Sequence, residues 1–514
     1  MAPTIRIFRS EKLICETSGI LGETLLDRIS AENIFIDAPC GGKGSCGKCL
    51  VRLSPQGVQV LACRTYVDGD ADIYLPEEME MEILGSGETE TLNFSDTPCR
   101  STDKKKLGVA VDIGTTTVVA HLTDMTSGKR IATVSGVNAQ RQFGADVISR
   151  IQYCADNGHI RLTKVIREQL ENLIHNACKT SGESPGDITY ISIAANSVMQ
   201  HLCAGYSPVS MGVAPFDMLS NFGDEHPAWE GLHASKGAKV YYAPTISAYV
   251  GGDITAGLLA AGLKDTDCTT VYVDIGTNGE LVMKLGKTYY CCATAAGPAF
   301  EGAEITMGMA AVSGAISRVS WDNGLKISVV GDKEPVGICG SGLLDSLAVL
   351  LETGAIDETG RLLDADEIEH EISELVEETD GENIFWLSKT GKGVHISSKD
   401  IRKLQLAKSA IAAGIETLIK QAGISEHEVK SFIIAGGFGS FMSPLSAAKI
   451  GLFPKKFLPI TKTVGNTAGE GAALALLSPY ARVALDDIRD RSKHVELSIS
   501  KIFNEAFIEH ILFP

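Results

Sequence analysis

Apolar and polar positions alternate along the chain in two textures. Residues 4–8 and 13–16 read as short strands around a charged turn, and Leu21, Leu25 and Ile29 lie on one stripe of a helix over 21–29. Residues 50–53 and 72–75 follow as strands, on the far side of a glycine-rich loop. From 77 to 100 the apolar period vanishes. The segment is acidic and then rich in Gly, Ser, Thr and Asp, which predicts a flexible linker ending in Lys104, Lys105 and Lys106.

Beyond the linker, strands alternate with amphipathic helices. Strands over 107–113 and 118–122 form a hairpin around DIGTTT, and Leu162, Val165, Ile166, Leu170, Leu173, Ile174 and Ala177 mark a helix over 162–181. A strand over 190–194 runs into ANSVMQH, read as a helix start. A strand over 270–274 then opens into DIGTNGE with 281–284 as its partner, so the first motif recurs about 160 residues later. Leu404, Ile411, Ile415 and Leu418 mark a long helix over 401–422, with Gly423 as its stop. A strand over 431–435 leads to GGFGS, and 465–477 is a helix of small residues. The pattern divides the chain into a domain at 1–85, a linker at 86–106, a duplicated α/β domain at 107–480 (about 107–267 and 268–480) and an extension at 481–514 that it leaves unassigned.

A length of 514 residues implies several domains. The 64 acidic against 46 basic residues, a net charge of −18, argue against nucleic-acid and anionic-membrane partners. The N-terminus has no basic stretch followed by an apolar run, and no apolar run is long enough to span a bilayer, so a cytoplasmic protein is expected. Of thirteen cysteines, nine are scattered without framework spacing, as reduced thiols are.

The other four are concentrated. CGGKGSCGKC places Cys40, Cys46 and Cys49 in a glycine-rich loop, and Cys63 follows after thirteen residues. Three thiolates on a loop that can wrap a cluster, with a fourth further on, point to a [2Fe–2S] centre; the C-x5-C-x2-C start is one residue longer than the plant-type spacing. Zinc is disfavoured because only Cys46 and Cys49 form a C-x2-C pair. With the surrounding strand and helix order, the loop predicts a β-grasp ferredoxin domain.

The two DIGT motifs suit a polyphosphate. Gly114 and Gly276 let backbone approach phosphate oxygens, Thr115, Thr116, Thr117, Thr277 and Asn278 donate hydrogen bonds, and Asp112 and Asp274 position Mg²⁺ through water. Gly436, Gly437 and Gly439 would let adenosine lie against backbone. No Walker A pattern and no G-x-G-x-x-G between strand and helix is present. Two DIGT motifs and a later Gly-Gly in this order resemble the actin, Hsp70 and sugar-kinase superfamily, with its duplicated ribonuclease H-like fold. That resemblance makes Asp253 a candidate base, with a helix N-cap as the competing role. Glu280, at the end of the second motif, joins Asp112, Asp253 and Asp274 as a catalytic candidate. The same resemblance places Gln405 and Lys408 near the nucleoside, or else on a solvated helix face. The loops AAGPAFEGAEI and ICGSG, the latter with Gly340 and Ser341, line the nucleotide cleft, face an electron acceptor, or are structural turns.

A [2Fe–2S] ferredoxin domain fused to an ATPase domain carrying VDIGTTT, DIGTNGE, AGPAFEG, CGSG, AGGFGS and VGN is similar to the reductive activators of corrinoid proteins. The resemblance runs from about residue 4 to about 478. It implies ATP-dependent, one-electron reduction of an inactive Co(II) corrinoid to Co(I), in support of methyltransferase metabolism of anaerobes. It further implies a corrinoid protein as partner, a low-potential electron donor upstream and a homodimer through the ATPase domain, and it sets Thr294 and Glu301 near the cobalt. Some members carry an additional middle domain, which is expected to be absent because Lys106 leads straight into the first phosphate strand. The alternatives are an activator of a radical acyl-CoA dehydratase, which would bridge a [4Fe–4S] cluster between subunits, and a small-molecule kinase with a redox-sensing domain. A plain electron carrier would leave the ATP motifs idle.

Overall fold

The computed structural model describes residues 2–32, 34–36, 38, 41–44, 47–54, 57–76, 106–302, 304–391, 393–437, 439 and 441–514. Cys40, Cys46 and the predicted linker up to residue 105 lie outside the described residues. The chain forms two compact units, Met1–Tyr242 and Ala243–Pro514.

The first unit opens with β1 (Thr4–Arg9), β2 (Lys12–Ser18), α1 (Leu25–Ala31), β3 (Leu50–Ser54), β4 (Val58–Leu61) and β5 (Ala71–Leu75). The strands form one mixed sheet in the order β2-β1-β5-β3-β4. Ile5, Ile7, Val51 and Ile73 bury their alternate side chains against Leu25, Leu26 and Ile29 of α1. The helix begins later than the apolar stripe predicts. Thr24 accepts a hydrogen bond from the Asp27 N–H at 3.1 Å and caps the helix there, leaving Leu21 64% exposed before it. Strand β4, four residues long, is too short to show a period in the sequence.

The unit continues through β6 (Leu107–Ile113), β7 (Thr117–Asp124), β8 (Arg130–Val137), α2 (Val147–Asn157), α3 (Ile160–Ser181), β9 (Ile188–Ala195), α4 (Ser197–Ala204), β10 (Glu225–Pro227) and β11 (Lys239–Tyr242). Its second sheet runs β10-β11-β9-β6-β7-β8. The predicted stripe of α3 is buried throughout.

The second unit contains α5 (Gly252–Ala260), β12 (Thr270–Ile275), β13 (Gly279–Leu285), β14 (Thr288–Thr294), β15 (Ala315–Trp321), β16 (Leu325–Val329), β17 (Gly337–Ile338) and α6 (Gly340–Glu352). It goes on through β18 (Val376–Thr379), β19 (Glu382–Ser388), β20 (Val394–Ser397), α7 (Ser398–Gln421), β21 (Ser431–Ala435), α8 (Pro444–Lys449), β22 (Thr461–Thr463), α9 (Thr467–Leu477), α10 (Pro479–Asp490), β23 (Ser492–His494) and α11 (Lys501–Glu509). Its main sheet is β22-β21-β12-β13-β14-β23. Strands β12, β13 and β14 form an antiparallel meander, and β21 and β22 then add in parallel. In the first unit β6, β7 and β8 form the same meander, and β9 and β11 add in parallel to the same edge. The recurrence of DIGT thus reflects a recurrence of strand order.

The C-terminal extension is part of this second unit. Strand β23 pairs with β14 in parallel, and α11 packs on α7. Here Gln405 and Lys408 depart from expectation. Both are fully buried on α7. Gln405 Nε2 donates to the carbonyls of Thr359 at 2.9 Å and Ile511 at 2.6 Å, and Lys408 Nζ donates to Leu512 O at 2.6 Å and lies 5.0 Å from the Phe513 ring centroid. Ser409 Oγ donates to Phe507 O. These side chains clamp the C-terminal tail; they are neither solvated nor open to a nucleoside, because the tail carbonyls already occupy their polar ends.

Burial pushes the Lys408 amine down to about 8 from its ordinary value of 10.5. Between those values the unfolded chain binds the proton and the folded chain does not, so folding gains stability as pH rises through that window and loses it as pH falls toward 8. Lys408→Met should flatten this slope in denaturant titrations between pH 8 and 10. Deleting residues 511–514 should lower stability by about 2–4 kcal/mol, since two buried donors lose their carbonyls.

Candidate functional site

At the cysteine loop, the Ala62 N–H donates to Cys49 O at 2.8 Å and Leu50 pairs with Leu61, which brings Cys49 and Cys63 to one end of the β3–β4 hairpin. Both are buried and neither forms a disulfide. Gly41, Gly42, Gly44 and Gly47 all have positive φ, a left-handed backbone that side chains resist. A Cβ on Gly42 would lie 3.9 Å from the Cβ of Cys63, and Arg64 Nη2 holds the loop by donating to Lys43 O at 2.6 Å. The described part of the predicted ligand set, Cys49 and Cys63, therefore flanks one end of this hairpin beside the glycine loop; Cys40 and Cys46 lie outside the described residues.

In the first DIGT loop, the register pairs Ile113 with Val118, leaving Gly114 to Thr117 as the turn. The Gly114 N–H closes it on Thr117 O at 2.9 Å, and a Cβ on Gly114 would meet that oxygen at the same distance. Three successive carbonyls are held from behind. Asn138 Nδ2 donates to Gly114 O at 2.8 Å, Arg150 Nη2 to Thr115 O at 2.6 Å, and the Asn138 N–H to Thr116 O at 2.8 Å. Asn196, the N-cap of α4, donates to Thr115 Oγ1 at 3.1 Å. Asn138, Arg150 and Asn196 carried no signal in the sequence beyond one asparagine after a strand. A lone arginine on an amphipathic helix reads as solvent-facing, yet Arg150 is fully buried.

The second loop is one residue shorter. Ile275 pairs with Gly279, and the Gly276 N–H donates to Asn278 O at 3.0 Å. Thr277 Oγ1 donates to Glu301 Oε1 at 3.0 Å, so Glu301 braces this loop. Thr294 is buried beneath it, its hydroxyl donating to Gly279 O at 3.1 Å. Its expected place beside a partner's cobalt is corrected, because its side chain reaches no surface. Gly436, at φ +91, presses on the same point: a Cβ there would lie 2.5 Å from Asp274 Oδ1. At Gly437 a Cβ would meet open space. Ser341 is used structurally, donating to Ser317 O at 2.9 Å, and Gly340 is the first residue of α6.

Three candidate carboxylates of the second unit interact. Asp274 faces Glu280 directly across the β12–β13 ladder. Burial first, then the charges of Asp253 and Asp274, hold the Glu280 carboxyl well above the usual carboxylate range. Tyr272 is pushed up by burial and by Asp274; its hydroxyl lies 2.8 Å from Thr467 Oγ1 and 3.4 Å from Asp274 Oδ2. Helices α5 and α9 approach closely through small residues, since a Cβ on Gly471 would lie 2.1 Å from Ala256 O. Asp253 is not the N-cap of α5. Gly251 caps the helix, and Asp253 is its second residue, accepting from the Ile254 N–H at 2.8 Å.

Because the folded state favours the protonated Glu280, its contribution to stability is complete below the ordinary carboxylate range and is lost as pH rises through its raised pKa. Glu280→Gln, which keeps the shape and removes the ionisation, should stabilise the nucleotide-free protein by about 1–3 kcal/mol above neutral pH and remove that part of the pH dependence. Urea titrations from pH 5 to 9 measure it.

Two family descriptions match consecutive stretches: the RACo middle region over residues 107–266 and the C-terminal ASKHA domain of RACo over residues 268–514. The expectation that a middle part is missing is thereby corrected, for the segment carrying the first DIGT loop is that region. The corrinoid activation enzyme RamQ of Eubacterium limosum is 32% identical, over 98% of each chain. The [Co(II) methylated amine-specific corrinoid protein] reductase of Methanosarcina barkeri is 23% identical, over 78% of this chain and 76% of its own. A shorter match, 32% identical over 11% of this chain, is to a component of the Na(+)-translocating NADH-quinone reductase of Haemophilus influenzae, of which it covers 18%. Among solved structures, a reductive activator for corrinoid, iron-sulfur protein covers 100% of this chain and 98% of its own at a TM-score of 0.73 and 30% identity. With a recurrent strand order, a DIGT loop in each unit and end-to-end similarity, the chain belongs to the family of reductive activators of corrinoid proteins.

Proposed function

We propose that this protein is an ATP-dependent reductase that returns a Co(II) corrinoid, carried by a partner protein, to Co(I) by one-electron transfer. The observation that carries the reading is the similarity over 98% of the chain to a corrinoid activation enzyme. Cys40, Cys46, Cys49 and Cys63 would hold a [2Fe–2S] cluster, which would supply the electron. The buried, unbridged Cys49 and Cys63 and the left-handed glycine loop beside them fit that group. When bound, the cluster supplies a one-electron carrier near −400 mV if it behaves as plant-type clusters do. A low-potential donor upstream reloads it, and the assembly is a homodimer through the ATPase domain.

ATP would be bound through its phosphates, for which each unit offers one DIGT loop. Gly114 to Thr117 and Gly276 to Asn278 would supply backbone N–H groups and hydroxyls, and Asp112 and Asp274 are the carboxylates that would hold Mg²⁺. Adenosine is assigned to the loop of Gly436, Gly437 and Gly439, of which Gly437 faces open space while Gly436 and Gly439 pack against Asp274 and Ala435. Asp253 would take up the proton of the attacking water, and Glu280, whose burial and neighbouring charges favour its protonated form, would hold its own proton beside it. For a single electron, about 59 mV corresponds to about 1.4 kcal/mol, so an uphill gap of about 100–200 mV costs roughly 2–5 kcal/mol. A difference in affinity for the two cobalt states, linked to ATP turnover, covers that range.

The decisive experiment is anaerobic. Reduced protein and a Co(II)-state corrinoid protein, mixed with and without Mg-ATP, should give the Co(I) absorbance only with the nucleotide; equal reduction without it would overturn the ATP-dependent reading. Asp112→Ala and Asp274→Ala should each slow reduction by roughly 100-fold or more while the cluster spectrum persists. Cys63→Ser should instead lose the cluster spectrum and leave ATP hydrolysis in place.

A further inference from the structure

The first DIGT loop is braced by residues to which the reaction described above gives no role. A trans peptide carries its C=O and the following N–H on opposite edges. Drawing the carbonyls of Gly114 and Thr115 toward Asn138 and Arg150 therefore turns the N–H groups of Thr115 and Thr116 the other way. Two successive N–H groups so directed form an anion-binding concavity. Neither brace can relax without losing other contacts. Asn138 is fully buried and its Oδ1 accepts from the Gln140 N–H at 2.9 Å, capping the turn Ala139–Phe143. Arg150 donates through Nε to Gly144 O at 3.0 Å and through Nη1 to Met199 Sδ at 2.9 Å and Gln140 Oε1 at 3.5 Å. Its guanidinium keeps its charge at any physiological pH, and its rigid fork can serve the three directions at once, which a lysine cannot.

We infer that Arg150, with Asn138, is a positioning residue for ATP: it locks the first phosphate loop with its carbonyls turned back, so that the N–H groups of Thr115 and Thr116 are directed at the polyphosphate. The inference rests on the assignment of this loop to ATP.

Arg150→Lys keeps the charge but loses the fork, and Asn138→Ser loses the long reach to Gly114 O. Each should raise the KM for Mg-ATP in the hydrolysis assay by roughly tenfold or more while kcat changes by less than about threefold, the size expected for losing one charge-assisted hydrogen bond. A purely structural role would lower kcat through a smaller folded fraction and leave KM where it was, and that result would overturn the inference. Wild-type protein provides a measurement independent of variant folding. Adding a non-hydrolysable ATP analogue should slow hydrogen exchange at the Thr115 and Thr116 amides, and adenosine should not; unchanged exchange in the presence of bound analogue would likewise overturn it. If wild-type protein binds no ATP analogue at all, the assignment of the ATP site fails first, and the two failures are distinguishable.

Discussion

A backbone loop can offer N–H groups on one side only if its carbonyls find partners on the other, and the first DIGT loop depends on that condition. Free carbonyls in a half-buried turn would each cost about as much as a lost hydrogen bond. The partners here come from two separate elements. Asn138 follows β8 and caps a short turn, and Arg150 extends from α2, whose start is fixed by the reciprocal Asp146 and Ser149 cap; Met199, in the first turn of α4, in turn accepts from Arg150 Nη1. The meander brings β8 beside β7, so the residue that follows β8 arrives behind the turn between β6 and β7. Much of the first unit's order of strands and helices can be read as the means of delivering these groups to one loop.

Strand and helix periods were legible because they repeat over many residues. The stripe of α3, the hairpins around both DIGT motifs and the strand before GGFGS all lie where the pattern put them, within a few residues. What escaped was set by single contacts. A threonine cap moved the start of α1, a glycine cap took the N-terminus of α5 from Asp253, and four-residue β4 had no room for a period. The site was legible where its residues are consecutive, as in DIGTTT and DIGTNGE. It was not legible where they meet across the fold: Arg150 and Asn138 are far in sequence from the DIGT loop they brace, as Tyr272 is from Thr467, and nothing local distinguishes them from other residues of their type. Gln405 and Lys408 show the reverse error. Resemblance put them beside a nucleoside, and only the packing of the C-terminal tail shows that their polar ends are already bonded.

The two DIGT loops share a sequence but have opposite electrostatic surroundings. Behind the first stands a buried guanidinium, joined by neutral amides. Around the second stand carboxylates: Asp274 faces Glu280 across the ladder, Glu301 accepts from Thr277, and Asp253 adds its field to that of Asp274 at Glu280. Like charges in directly opposed positions destabilise a ladder unless something neutralises them, and in the free protein a proton on Glu280 serves. A divalent cation would serve better, since its field favours ionised carboxylates and would displace that proton. A loop backed by a fixed cation accepts a phosphate without further change, whereas a loop ringed by carboxylates accepts one only together with a metal ion. Under the proposed function, that difference suits the first loop to anchoring the polyphosphate and the second to holding it together with Mg²⁺.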